Sequence, residues 1–312
     1  MLDLPSKGFL RSVNVHNVEL PAMCDWIEAS VLFSEANISQ RDVVDVLVEK
    51  QIYEEQDFAQ QRVNDAWVVL RQRAKLLGKS SPYKFEKLSI ARVGRPWFDN
   101  SSYAFLVTLS LADIYPKWAK GFGPNFGPQG ELFEKLLEHS LRTQFPGWSV
   151  LRTGWSTSTP VLLKSIVEEI SRKLDESVGN VQKWTTAKQK EAGLDILLWR
   201  PFDDLKGSYP VYLFQCASGG GWDQKLHTPD LKIWTRVIDF RSRGHPTKAF
   251  ATPFVLDQDE FTRIVNRVDG LLLDRMRISA ASSKNRGWMP STLARDIRRW
   301  GIARTRTLPT YD

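Results

Sequence analysis

The chain has 312 residues, a net charge of +7, and a composition that is 42% apolar and 25% charged. This suits one large or two modest hydrophobic cores and excludes a disordered or low-complexity chain. No apolar run approaches the roughly eighteen residues of a bilayer-spanning helix, so functions that require crossing a membrane are excluded too.

In chain order, MLDLPSKGFLRS lacks the basic-then-apolar pattern of a secretory leader, and Cys24 and Cys216 are the only cysteines. A cytoplasmic protein with reduced thiols is therefore expected. Residues 1 to about 85 read as mainly helical. Apolar positions 43, 44, 47, 48 and 52, then 58, 63, 66, 67, 70, 74 and 77, recur at helical spacing. Ser39 with Asp42 three residues on suits a helix start, and Gly78 a helix end. SYAFLVTLSLADIY (102–115) is apolar and aromatic enough for a strand, although its second half also suits a helix. GFGPNFGPQG (121–130) reads as a loop and a domain boundary. This divides the chain into a mainly helical region, 1–120, and a second domain, 121–312.

Beyond the loop, a helix starting at Gly130 places Leu132, Phe133, Leu136, Leu137 and Leu141 on one face. A strand in PGWSVLRTGW and an amphipathic helix over 161–178 follow. GLDILLW and YPVYLFQC are strand-length apolar runs separated by the turn-rich RPFDDLKGS. A helix in TPDLKIWTRVIDFRSRG, a strand in HPTKAFATPFVLD, a helix over QDEFTRIVNRV and a strand over GLLLDRMRIS lead to a closing helix in PSTLARDIRRWG. This alternation predicts an α/β fold, a mixed sheet flanked by helices.

The charge is unevenly placed. Between Arg263 and Arg306 eleven Lys/Arg face three Asp, which leaves the rest of the chain near neutral. A basic region on a neutral protein is the electrostatic footprint of a nucleic-acid binder. Arg275, Arg277, Lys284, Arg286, Arg295, Arg298 and Arg299 are the candidate phosphate contacts, guanidinium forking onto phosphate better than ammonium. A solvated surface with surplus arginine is the alternative.

The segment VYLFQCASGGGWDQK (211–225) runs from an apolar strand into Gln215, Cys216 and three glycines. If 194–199 and 209–215 pair as an antiparallel hairpin centred on Leu205, Asp195 faces Gln215 about 5 Å away at Cβ. Leu194, Ile196 and Leu198 would share the other face with Tyr212 and Phe214. A buried carboxylate needs a partner. Either Asp195 and Gln215 hydrogen-bond each other or the turn, or both give oxygen ligands to a divalent cation. Glu131, Glu134 and Glu138 lie on the helix beside the glycine-rich loop, where a solvated helix face is the simple explanation.

Other chemistries fit poorly. A papain-like nucleophile sits at a helix start with its glutamine several residues upstream, whereas Cys216 continues a strand directly after Gln215. The glycines lack the spacing and the Gly-Lys-Ser/Thr of a phosphate loop. Four His and two Cys show no zinc-ligand spacing. Trp222, Trp234, Trp288 and Trp300 suit base stacking, yet burial is the commoner use of tryptophan.

Taken together, GELFEKLLE, GLDILLW and LFQCA in an α-β-α-β-β order resemble the PD-(D/E)XK, or restriction-endonuclease-like, nuclease superfamily over about 130–290. The resemblance implies a restriction-endonuclease-like core with a Glu from its first helix, an Asp from its second strand and Glu/Gln-X-Lys from its third. Glu134, Asp195 and Gln215 would hold Mg²⁺, with Mn²⁺ able to substitute. The implied activity is DNA phosphodiester hydrolysis, on double-stranded DNA, in restriction or anti-phage defence. The helical region would bind a partner or recognise the target. The chain departs from the pattern at Ala217, where the lysine is expected. Lys225 beyond the glycines, or Lys188 or Lys190 upstream of Asp195, would have to supply the ammonium. If none does, the alternative is a catalytically inactive nucleic-acid-binding subunit that keeps the fold. A thiol hydrolase using Cys216 is a third reading.

Overall fold

The computed structural model describes residues 1–10, 18–122, 126–153, 163–184, 193–204, 206–242, 246–285 and 287–311. In chain order its elements begin with α1 (Leu20–Phe33), β1 (Asn37–Ser39), α2 (Gln40–Glu49), α3 (Gln56–Leu77), β2 (Tyr83–Glu86) and β3 (Ser89–Arg92). Next come α4 (Pro96–Asp99), α5 (Ser101–Ile114), α6 (Pro116–Lys120), α7 (Gly127–Gln144), β4 (Ser149–Arg152), α8 (Leu163–Leu174), β5 (Ser177–Val178) and α9 (Val181–Trp184). The last are β6 (Ile196–Trp199), β7 (Val211–Cys216), α10 (Leu231–Val237), β8 (Ile238–Asp239), β9 (Thr247–Ala251), α11 (Gln258–Val268), β10 (Gly270–Leu273), α12 (Arg275–Lys284) and α13 (Ser291–Thr305).

The chain forms two compact units. The first comprises Met1–Phe126, Pro253–Val255 and Pro290–Asp312, and the second comprises Gly127–Thr252 and Leu256–Met289. The division therefore falls close to the glycine-proline segment. The last stretch of chain, α13 included, packs with the first unit rather than with the domain expected over 121–312.

The first unit is mainly helical, as its periodicity predicts, with a small antiparallel sheet in the order β1-β3-β2. Ser39 and Asp42 form the reciprocal cap on α2: the Ser39 hydroxyl accepts from the Asp42 N–H, and the Asp42 carboxylate from the Ser39 N–H. Residues 102–115, expected as a strand, belong to α5. Nearly every side chain of α5 is buried, so apolar residues surround the helix and no 3.6-residue stripe shows in the sequence.

At the centre of this unit lies a closed cluster of charge. Arg73 donates from Nη1 to Asp25 and to Glu28, both at 2.7 Å, and Glu28 also accepts from the hydroxyls of Tyr83 (2.5 Å) and Tyr103 (2.7 Å). Burial opposes the Arg73 charge, but Glu28 and Asp25 outweigh it and hold the guanidinium protonated well above its ordinary value. Beside them the Cys24 thiol is pushed up to about 12, chiefly by burial.

The second unit is built on a five-stranded mixed sheet in the order β10-β9-β7-β6-β4. The β4/β6 and β6/β7 pairs are antiparallel, and the β7/β9 and β9/β10 pairs parallel. The expected α/β class, a mixed sheet flanked by helices, is thus observed. One face carries α8 and α10: Ile166, Ile170 and Trp234 pack on Leu197, Trp199, Val211 and Leu213. Two boundaries differ from expectation. Helix α7 begins at Gly127, because Pro128 in a first turn gives up no hydrogen bond the helix needs. The strand expected over 270–279 ends at Leu273, where the Asp274 carboxylate caps α12 through the Arg277 N–H.

The Arg73 cluster yields a stability prediction. Arg73→Ala strands two buried carboxylates and is expected to cost about 3–5 kcal/mol. Tyr103→Phe removes one donor and is expected to cost about 1–2 kcal/mol. Denaturant unfolding of the two variants checks this, and equal losses would mean that charge pairing is not what holds the cluster.

Candidate functional site

The hairpin register is the one its symmetry predicts: Ile196 pairs with Phe214 and Leu198 with Tyr212. The next bonded pair of a regular antiparallel ladder would be Leu194 with Cys216. Instead the Asp195 N–H bonds the Phe214 carbonyl, and the Cys216 N–H bonds the Asp195 carboxylate at 2.6 Å. This has the form of a β-bulge, an extra residue that re-aims a side chain. It overturns one expectation: Leu194 packs with Leu197 and Leu213 rather than on the face of Ile196 and Leu198. An inserted residue reverses the alternation for everything ahead of it.

Asp195 and Gln215 meet at the bulge, the contact that the hairpin symmetry predicts. Gln215 Nε2 donates to Asp195 Oδ2 at 2.5 Å and lies 3.1 Å from the Cys216 carbonyl. Its Oε1 faces the Thr228 hydroxyl at 2.9 Å, and that hydroxyl also lies 2.7 Å from the Lys225 carbonyl. Asp195 and Gln215 are 8% and 6% exposed. Gly193, at φ +73°, makes room: a Cβ there would stand 2.6 Å from Thr228 Cβ and 3.2 Å from Gln215 Oε1.

Glu134 comes from α7 and Arg152 from the end of β4, whose partner is Ile196. The guanidinium lies 3.6 Å from Glu134 and 3.8 Å from Glu138. The half-buried Cys216 thiol registers the surrounding charges. Burial first, then Asp195 and Glu134, push it well above the usual thiol range, while Lys225 and Arg152 pull the other way. Asp195 and Gln215 thus meet at the end of β7, and Glu134 and Lys225 are near enough to act on the Cys216 thiol there.

Lys225 is exposed at the end of the short turn Trp222–Lys225, while Ala217 is buried at 2%. Lys188 and Lys190 lie outside the described residues, as do Leu205 and His245. Among the described residues no group of three or more His, Cys, Asp or Glu has the arrangement of a metal site. Arg152 and Thr228 are the members that sequence reasoning missed. Arg152 was findable only from the β4/β6 pairing; Thr228 carries no local signal.

The expected phosphate contacts differ in exposure and are divided between the two units. Arg275 is fully buried, which removes it from any nucleic-acid interface. It follows the capping Asp274 and turns into the unit with α12. Arg277 is exposed, while also donating to the Leu272 carbonyl at 2.9 Å and stacking on Phe261. Lys284 is exposed, and Arg286 lies outside the described residues. Arg295 and Arg299 are exposed on α13 in the first unit, whereas Arg298 is half-buried, its Nε bonded to the Trp97 carbonyl. Of the tryptophans, Trp234 and Trp288 are buried, and Trp222 packs against Phe250.

Among the described residues no helix is long and apolar enough to cross a membrane, and both cysteines are free. Comparison with family models, with curated proteins and with solved structures yields no match to this chain.

The raised Cys216 thiol leads to a check. With thiolate scarce at neutral pH, iodoacetamide labelling of Cys216 should stay slow to about pH 8 and quicken only at clearly alkaline pH. Peptide mass mapping separates it from Cys24. Rapid labelling near pH 7 would restore the thiol-hydrolase reading.

Proposed function

We propose that the second unit is a metal-dependent phosphodiesterase, and more particularly an endonuclease acting on DNA. One observation carries this reading: the buried Asp195 and Gln215 side chains meet at 2.5 Å at the ends of the second and third strands of the sheet, with Glu134 of the unit's first helix 3.6 Å from Arg152, the strand partner of Ile196. That order of Glu, Asp and Gln is the one the nuclease resemblance implies.

The donors suit a hard divalent cation. The carboxylates of Glu134 and Asp195 and the amide oxygen of Gln215 are oxygen ligands of the kind Mg²⁺ and Mn²⁺ prefer. Gln215 turns its nitrogen to Asp195 and its oxygen to Thr228. Exchanging the two would turn the oxygen toward Asp195, where a cation would lie between the oxygens, and would take the amide nitrogen from the Cys216 carbonyl. The Thr228 hydroxyl can accept from the amide nitrogen while giving its single hydrogen to the Lys225 carbonyl. Bound there, a cation would activate water and neutralise the charge developing on phosphate.

The chain's own residues do the rest. Asp195 is held at the sheet end by the Cys216 N–H. Arg152 steadies Glu134 and Glu138 and offsets part of their charge. The exposed glycines 219–221 let a phosphate backbone come close, and Lys225 beyond them takes the part of the lysine missing at Ala217. The exposed Arg277 and Lys284 of the second unit would hold duplex phosphates, and the helical unit, with Arg295 and Arg299 exposed on α13, would recognise a target or partner. Free thiols suit a cytoplasmic setting, and defence against foreign DNA is the role that fits.

The buried Ala217 favours a second reading, a nucleic-acid-binding subunit of a defence complex that keeps this architecture without turnover.

Plasmid cleavage with Mg²⁺, Mn²⁺ or EDTA separates the two. Cleavage in Mg²⁺ that EDTA abolishes and Asp195→Ala lowers by about two orders of magnitude is expected. Lys225→Ala should lose cleavage while keeping DNA binding within about threefold. Binding without cleavage under every metal condition selects the second reading, and unchanged cleavage by Lys225→Ala removes that lysine from the mechanism.

A further inference from the structure

The first unit carries a feature that the phosphodiesterase proposal leaves unused. A pocket of about 330 Å³ opens among α1, β3, α4 and α13, lined by Phe33, Arg92, Arg95, Trp97, Phe98 and Arg306, together with aliphatic side chains. The volume sits near the lower end of small-ligand sites, about 300–1,000 Å³. Three of the lining residues are arginines, and none of the lining residues is acidic.

Its aromatic side is rigidly built. Trp97 is buried and stacks on Phe33, with centroids 5.6 Å apart and planes 18° off parallel. Behind Trp97, Gly301 leaves no room for a Cβ, so α13 presses directly on the indole. The Trp97 carbonyl accepts from Arg298 Nε at 3.0 Å. Phe98, by contrast, is half-exposed, with the guanidiniums of Arg95 and Arg298 over its ring at 4.7 and 4.4 Å. On the cationic side, Arg92 is oriented by a bond from its Nη1 to the Leu32 carbonyl, while Arg95 and Arg306 are exposed.

Aromatic side chains beside several guanidiniums match a ligand with a flat ring at one end and a multiply charged oxyanion at the other. We propose that this pocket binds a nucleotide unit, its base along the exposed part of Phe98 and its phosphate against Arg92, Arg95 and Arg306. The proposal deepens the nucleic-acid reading above and rests on it for choosing a nucleotide over another flat anion. The nucleotide can be free, or part of a single strand whose base is turned out of the stack.

The test is calorimetric titration of the full chain in EDTA, where no cleavage intervenes. The probes are thymidine 5′-monophosphate, thymidine, inorganic phosphate, and pentathymidylate with and without a 5′-phosphate. The monophosphate is expected to bind at least tenfold tighter than thymidine or phosphate alone. Phe98→Ala and Arg306→Ala, both at exposed positions, should each weaken it at least tenfold with unchanged circular dichroism. Tighter binding of pentathymidylate, lost in the same variants, assigns the site to a strand; binding of the monophosphate alone assigns it to a free nucleotide. Monophosphate binding no tighter than phosphate, or indifferent to both variants, overturns the proposal. Asp195→Ala should bind the monophosphate like the parent chain. Lost plasmid cleavage with intact nucleotide binding therefore strikes only the phosphodiesterase reading, and the converse strikes only this one.

Discussion

A carboxylate at the end of an apolar strand has to be answered by donors, and the architecture around Asp195 follows from that requirement. Left alone in a site that is 8% exposed, the charge would cost several kcal/mol. The β6/β7 ladder answers it by giving up a regular step. The Cys216 N–H, which would otherwise bond a backbone carbonyl, goes to the carboxylate, and the Gln215 amide adds a second donor. Gly193 permits the close approach of Thr228 that orients the far side of the amide. The bulge, the glycine and the amide are parts of one solution to one electrostatic problem.

The two units handle buried acid differently. In the first, Glu28 is fully enclosed and is met by a guanidinium and two phenols, an arrangement closed on itself. Such a cluster specifies how α1, α3 and α5 pack and leaves no opening for a ligand. In the second, the acidic residues stand beside the exposed glycines 219–221 and the exposed Lys225, and Arg152 is shared between two glutamates at distances longer than a tight ion pair. A site that is held and also reachable is what chemistry on a polymer requires, which is why the functional reading rests on this cluster and not on the tighter one.

The basic stretch near the C-terminus shows how little a charge count says about a surface. Arg275 is consumed in packing, Arg277 satisfies a strand carbonyl and an aromatic face, and Arg298 braces Trp97. Long side chains with apolar stems and five donors are as useful inside a fold as on it. The division of the chain also assigns α12 and α13 to different units, so residues twenty apart in sequence do not belong to one patch by proximity alone.

Sequence by itself determined the elements whose signal is local. The capping pair at Ser39 and Asp42, the amphipathic helices α3, α8 and α11, and the β6/β7 register follow from spacing and turn symmetry. So did the meeting of Asp195 with Gln215. Tertiary structure alone decided the rest. Helix α5 is buried on all sides and so shows no period. The bulge at Asp195 changes one residue's direction without altering composition. Arg152 is brought in by its strand pairing with Ile196, 44 residues on, and Thr228 by its contact with Gln215, 13 residues away. Local periodicity reports which side of an element is apolar, but partners drawn from distant segments are chosen only when those sides are packed together.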